Sequence, residues 1–169
     1  MIISKVLGNA AGGLPDKRIE RIGIEWFERS KKLLSKVTEK GESVGIRLSE
    51  PLKDGDILFE DVERVVVAEF LPCELLQINV GSMEEMGRLC FEFGNRHMSI
   101  EITPSAVTSV WDGPMSEHLS RLGFCCHRKT GKFTNYLEVK AHDHVEHDHA
   151  EHDHGVHAHG EHEHGHSHG

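Results

Sequence analysis

The chain has 169 residues, 28% charged and 37% hydrophobic, with 28 Asp and Glu against 19 Lys and Arg and a formal net charge of −9. Residues 141–169 hold twelve of the 15 histidines and seven of the carboxylates but no Lys or Arg, so the remaining 140 residues carry a charge near −2. That body suits one domain or two small ones and lacks the basic footprint of a nucleic-acid binder. No secretory signal or long apolar span opens the chain, and Cys73, Cys90, Cys125 and Cys126 form no CxxC pair or regular disulfide framework, so a reducing, cytoplasmic, non-membrane setting is expected.

Residues 1–7 begin with a short apolar run that predicts a strand, and the glycine-rich residues 8–15 predict a loop. Ile22, Ile24 and Trp26 alternate with Arg21, Gly23 and Glu25, which predicts a second strand, and the basic cluster at 29–32 reads as a polar outer face. Residues 34–40 and 42–48 flank Gly41, with Val44, Ile46 and Leu48 at period two, so they predict antiparallel neighbours joined by a turn. Lys53-Asp54-Gly55-Asp56 predicts another turn; its carboxylates, with Asp61, lack the number and spacing of a calcium loop and read as solvated turn residues. After the apolar run at 65–68, Pro72 marks a break, closing a small β-rich domain over residues 1–72.

Beyond Pro72 the pattern changes. Residues 74–80 predict a strand, and Ser82 with Glu85 has the spacing of a helical capping box. Met83, Met86, Cys90 and Phe93 then recur every three or four residues as one buried face. Continuing that spacing puts His97 near the same side, with Gly94 and Asn95 ending the helix before it. Strands are expected at 98–103 and 106–111, and a short helix carrying Met115, Leu119 and Leu122 ends at Gly123, with His118 on its solvated side. Residues 124–127 and 133–139 are expected to close the sheet around a turn at 129–132. The order strand, helix, strand, strand, helix, strand is ferredoxin-like, making the chain α+β: a β-rich domain, a βαββαβ domain over 73–140 and a tail over 141–169. Helices should cover one sheet face, leaving the other for the first domain or another subunit.

In the tail only Val145 and Val156 have sizeable aliphatic side chains, too little apolar surface to offset the entropy of ordering, so it is expected to be disordered without a ligand. Its histidines are His142, His144, His147, His149, His152, His154, His157, His159, His162, His164, His166 and His168. Broken by acids and glycines, they lack the contiguity of a purification tag. Neutral imidazoles bind nickel, copper and zinc, and the interspersed carboxylates concentrate cations and add oxygen ligands. Loading should weaken as pH falls toward the free imidazole pKa of about 6.5.

Within the body, the densest motif is Gly94-Asn95-Arg96-His97. One imidazole does not make a selective metal site, although a twofold dimer would bring two His97 side chains together; an ordinary capping or interface histidine is the competing reading. In Cys125-Cys126-His127, strand alternation lets only part of the triplet face one ion, and structural burial is favoured. The glycine-rich start lacks the phosphate-loop lysine pattern, and no convergent catalytic set is present, so a binding protein is expected rather than an enzyme.

Taken together, Trp26-Phe27-Glu28-Arg29-Ser30-Lys31-Lys32, Leu52-Lys53-Asp54-Gly55-Asp56-Ile57-Leu58, Glu74-Leu75-Leu76 and Gly94-Asn95-Arg96-His97, followed by a histidine-rich end, resemble the UreE family of urease accessory proteins, nickel metallochaperones. The resemblance runs through most of residues 1–140. It implies a peptide-binding-like first domain and a ferredoxin-like second domain that binds metal and forms a homodimer, with His97 of each subunit as a nickel ligand. It further implies a tail that binds additional Ni(II), for which Zn(II) or Cu(II) compete, and partners comprising the urease apoprotein and its maturation complex with a GTPase. Two departures stand out: Val107 and Val110 fall where some members carry further histidines, and the frequent glycine-tyrosine segment near the end is not evident. The alternative function is a histidine-rich nickel or zinc buffer or storage protein without delivery.

Overall fold

Alternating apolar residues build the first half of the chain into two sheets packed on each other, in a computed structural model that describes residues 1–14 and 16–137. One sheet sets β1 (Ile2–Ile3) parallel to β5 (Ser43–Arg47), which pairs antiparallel with β4 (Leu33–Val37). The other runs β2 (Gly8–Asn9), β6 (Asp56–Glu60), β7 (Arg64–Phe70), β3 (Arg18–Ile24), with β3 parallel to β7. Ile3, Val44 and Ile46 from the first meet Ile22, Ile24, Val66 and Phe70 from the second in one core. Each such side chain removed from water contributes roughly 1.5–3 kcal/mol.

Several expectations for this half change. Gly8 and Asn9, expected in a loop, form a short strand because they pair with Ile57 and Asp56, and the Asn9 side chain then accepts from Ala11 N to cap a single 3-10 turn. Trp26 leaves the strand: β3 ends at Ile24, and Trp26–Glu28 is a 3-10 turn in which the Glu28 carboxylate accepts from Glu25 N at 2.9 Å. The turn carboxylates are braces rather than solvated groups. Asp54 accepts from Phe70 N at 2.7 Å, Asp56 from Lys53 N at 2.8 Å, and Asp61 from Glu63 N and Arg64 N at 2.8 Å. The turn between β4 and β5 stands where expected, with Gly41 at φ 84°, a left-handed conformation that glycine adopts without steric cost.

The second half is the expected βαββαβ unit: β8 (Cys73–Asn79), α1 (Met83–Asn95), β9 (Glu101–Thr103), β10 (Ala106–Val110), α2 (Gly113–Arg121) and β11 (Cys126–Gly131). Its sheet has the order β11-β8-β10-β9, antiparallel throughout. Leu89 and Phe93 of α1 and Met115 and Leu119 of α2 pack on Leu76, Ile78 and Val107. The buried helix face is centred on Leu89, and Met83, expected within it, is 88% exposed at the helix start. The turn expected at 129–132 is replaced by continuous strand, because β11 keeps register with β8 from Cys126 opposite Ile78 to Gly131 opposite Cys73.

Residues 133–136 form a strap across the opposite sheet face, and Leu137 adds one bridge to Ile100; the rest of the last expected strand lies outside the described residues. Under the strap, Phe133 and Tyr136 stack at 4.5 Å between ring centres and cluster with Leu75, Val110 and Trp26. The Tyr136 hydroxyl donates to Trp26 O at 2.7 Å. The free face of the ferredoxin-like sheet is therefore covered by the strap, with the Trp26 turn of the first domain packed against it. Arg29, expected on a polar outer face, instead lies over the Tyr136 ring, 4.8 Å from its centre, and donates to Thr134 O at 3.1 Å.

Candidate metal centre

The candidate centre stands beyond the end of α1, a helix whose start is fixed by its own cap. At the start, Ser82 Oγ accepts from Glu85 N at 3.1 Å, and the Glu85 carboxylate reaches back past Ser82 to accept from Gly81 N at 2.7 Å. This satisfies one N–H of the first turn, and Glu84 and Glu85 place negative charge where the helix dipole favours it.

The far end determines where His97 goes. The last helical residue is Asn95; Met98 N donates to Phe93 O at 3.1 Å and His97 N to Gly94 O at 3.0 Å. These are the two hydrogen bonds of a Schellman cap, in which the residue beyond the cap takes a left-handed conformation and is usually glycine. Here that residue is His97, with φ 53°, the sole non-glycine residue at positive φ among the described residues. For a residue bearing a Cβ the left-handed region costs roughly 1–2 kcal/mol. The turn sends Met98 inward against the core that contains Phe93 and leaves His97 exposed. As expected, the helix ends at Asn95 before it reaches His97, so His97 does not continue the side of the helix that carries Cys90 and Phe93.

The other candidates separate. His118, expected to be solvated, has its Nε2 2.7 Å from the Glu92 carboxylate, tying α2 to α1. Glu92 was not singled out by sequence; its position one residue before the buried Phe93 concealed that it borders α2. Cys126 packs against the helices with its Sγ 3.6 Å from Ser116 O, while Cys125 and His127 are exposed, so strand alternation splits the triplet as expected. Cys73 and Cys90 are partly buried, and that burial pushes both thiols up from their ordinary pKa, away from the thiolate a metal needs. Val107 is in the helix-side core and Val110 under the strap, so β10 supplies no ligand at either position.

Among the described residues no three His, Cys, Asp or Glu side chains converge as a metal site. His97 offers one exposed imidazole at the helix exit, a single donor that needs further ligands from elsewhere. The twelve histidines of residues 141–169 lie outside the described residues. Among the described residues, no helix is long and apolar enough to cross a membrane.

Comparison with known proteins follows both halves of the architecture. The family model of the UreE urease accessory protein N-terminal domain matches residues 3–71, and that of the C-terminal domain matches residues 73–169. A urease accessory protein UreE of Bifidobacterium longum subsp. infantis is 37% identical over 144 residues, covering 84% of this chain and 65% of the relative, just under two thirds of its length. One from Acetivibrio thermocellus is 34% identical over 145 residues, covering 84% of this chain and 95% of the relative. A third, from Haemophilus influenzae strain PittGG, is 36% identical over 131 residues, covering 73% of this chain and 71% of the relative.

Proposed function

This chain belongs to the UreE urease accessory protein family, and on that premise we propose that it is a nickel chaperone of urease maturation, a carrier and not an enzyme. Nickel is its cargo. In this reading the chain works as a homodimer in the cytoplasm, and the twofold axis brings the two His97 imidazoles to one ion. The observation that supports this role is the left-handed His97 in a position that favours glycine, with its ring exposed where a second subunit can approach. An energetically costly conformation in an exposed polar residue points to a function for that residue.

The tail extends the site. Its imidazoles capture Ni(II) at neutral pH, its seven carboxylates raise the local cation concentration, and exchange of ligands passes the ion to the paired His97 site. Zn(II) and Cu(II) compete for the same nitrogen ligands. Docking to the urease apoprotein and its GTPase-containing maturation complex rearranges the His97 site so that receiving ligands displace the ion. The domains behind this division of labour are residues 1–72 for partner contact, 73–140 for dimerisation and the fixed site, and 141–169 for capture.

Twelve histidines in one segment also favour a second reading, a nickel or zinc buffer that stores metal without delivering it. Nickel titration by calorimetry tests the two-compartment arrangement common to both. Truncation at Lys140 should remove most bound ions and leave about one per dimer, and His97→Ala should abolish that remaining site while leaving the tail's capacity. A truncated chain that binds no nickel, or one whose binding is indifferent to His97→Ala, contradicts the assignment of His97. Only the delivery reading requires, in addition, that the loaded chain activates urease.

A further inference from the structure

A cleft of about 710 Å³ opens where the first domain meets the strap. Arg29, Lys53, Asp54 and Asp56 line it, together with Asn9 and Asn135. The two carboxylates and the two cations are not equivalent. Asp54 already accepts from Phe70 N at 2.7 Å and lies 3.1 Å from Lys132 Nζ, and Asp56 accepts from Asn9 Nδ2 at 3.0 Å and Lys53 N at 2.8 Å. Neither cation takes part in an ion pair among the described residues, whereas Asp54 is paired with Lys132.

Arg29 is held in one orientation by its stack on Tyr136 and by the Nη1 hydrogen bond to Thr134 O. Its Nε is buried and has no hydrogen-bond partner. The guanidinium edge left without a partner is therefore the Nε and Nη2 fork, which matches the two oxygens of a carboxylate side-on. A buried donor without an acceptor is rare and calls for a partner.

We propose that this cleft is a carboxylate-binding site, with the Arg29 fork receiving one carboxylate and Lys53 Nζ the second negative charge of the same ligand. Two cations and a volume of this size select a polycarboxylate over a monocarboxylate. The source is either a small polycarboxylate or adjacent Asp and Glu side chains of an acidic protein segment. Because Nε is shielded from solvent, a carboxylate that reaches it shifts the strap at residues 134–135, which the same guanidinium holds. Ligand binding here thus acts on the joint between the two domains. The proposal does not depend on nickel.

The test is calorimetric titration of the full-length chain, freed of metal and held at pH 8 so that imidazoles are neutral, with citrate and separately with a blocked Asp-Glu hexapeptide. The expected result is saturable binding of one of them, one per chain, weakened at least tenfold by Lys53→Gln and by Arg29→Lys, which keeps the charge but loses the fork. Lys53 is exposed, so its variant reports on binding even if the Arg29 variant loosens the strap. Citrate alone binding identifies a small polycarboxylate, and the peptide alone binding identifies an acidic segment. Absence of saturable binding by both probes at low salt, or unchanged affinity in both variants, overturns the proposal.

Discussion

His97 shows how one backbone dihedral decides what a side chain can do. Its left-handed conformation closes the Schellman cap and leaves the residue exposed, so the cap and the metal role proposed above make opposite demands on it. His97→Gly should therefore raise stability by up to about 1 kcal/mol in denaturant unfolding while eliminating nickel binding by the body, since glycine pays no Cβ penalty at this φ. A loss of stability in that variant would show that the imidazole itself supports the fold. Glu20 makes a second residue-level prediction. It is 1% exposed; burial pushes its carboxyl pKa up, but Arg64, Arg18 and Lys40 outweigh that and hold it below its ordinary value. The group's contribution is thus present at neutral pH and lost as pH falls below about 4.3 toward the depressed value. Acid unfolding of Glu20→Gln, followed from pH 7 to 3, should be less steep than that of the parent. Sequence marked His97 as a helix-exit residue through the Gly-Asn-Arg-His motif and ended the helix at Gly94 and Asn95, where it does end, but not the left-handed conformation of His97, because that cap position is usually filled by glycine.

Helix α1 carries the consequences at the next scale. Leu89 and Phe93 are fully buried against β8 and β10, whereas Met83 stands in solvent. Leu89→Ala should cost about 2–5 kcal/mol and Met83→Ala no more than about 0.5 kcal/mol, measured by urea denaturation of the full chain. Equal effects would mean that the helix is rotated about its axis. The periodicity of Met86, Cys90 and Phe93 made the helix legible, and Ser82 with Glu85 its start. Which residues flank that stripe was less legible, since Met83 and Leu89 both fall at its margins and only packing distinguishes them. The same limit explains β11. Lys129, Thr130 and Gly131 suggest a turn locally, but six consecutive pairings with β8 hold them extended.

At the scale of the whole molecule, the alternation of the first half and the βαββαβ order of the second were legible, because each follows from a local period. The joint between them was not. Trp26 meeting Phe133 and Tyr136, and Arg29 stacking on Tyr136, are contacts across more than a hundred residues that no local pattern signals. That joint makes one body of the partner-facing and cargo-facing parts proposed above, with His97 at the exit of α1. A carrier of this design must load metal, hold it at an exchangeable site and surrender it to a receiving protein. Activation of urease apoprotein in a reconstituted maturation mixture, at nickel concentrations too low for spontaneous activation, measures all three at once. The account predicts that the full-length chain restores urease activity, that His97→Ala abolishes the effect, and that truncation at Lys140 retains it with a need for more nickel. A full-length chain that binds nickel but leaves the apoprotein inactive, or a His97→Ala chain that activates it as well as the parent, contradicts it.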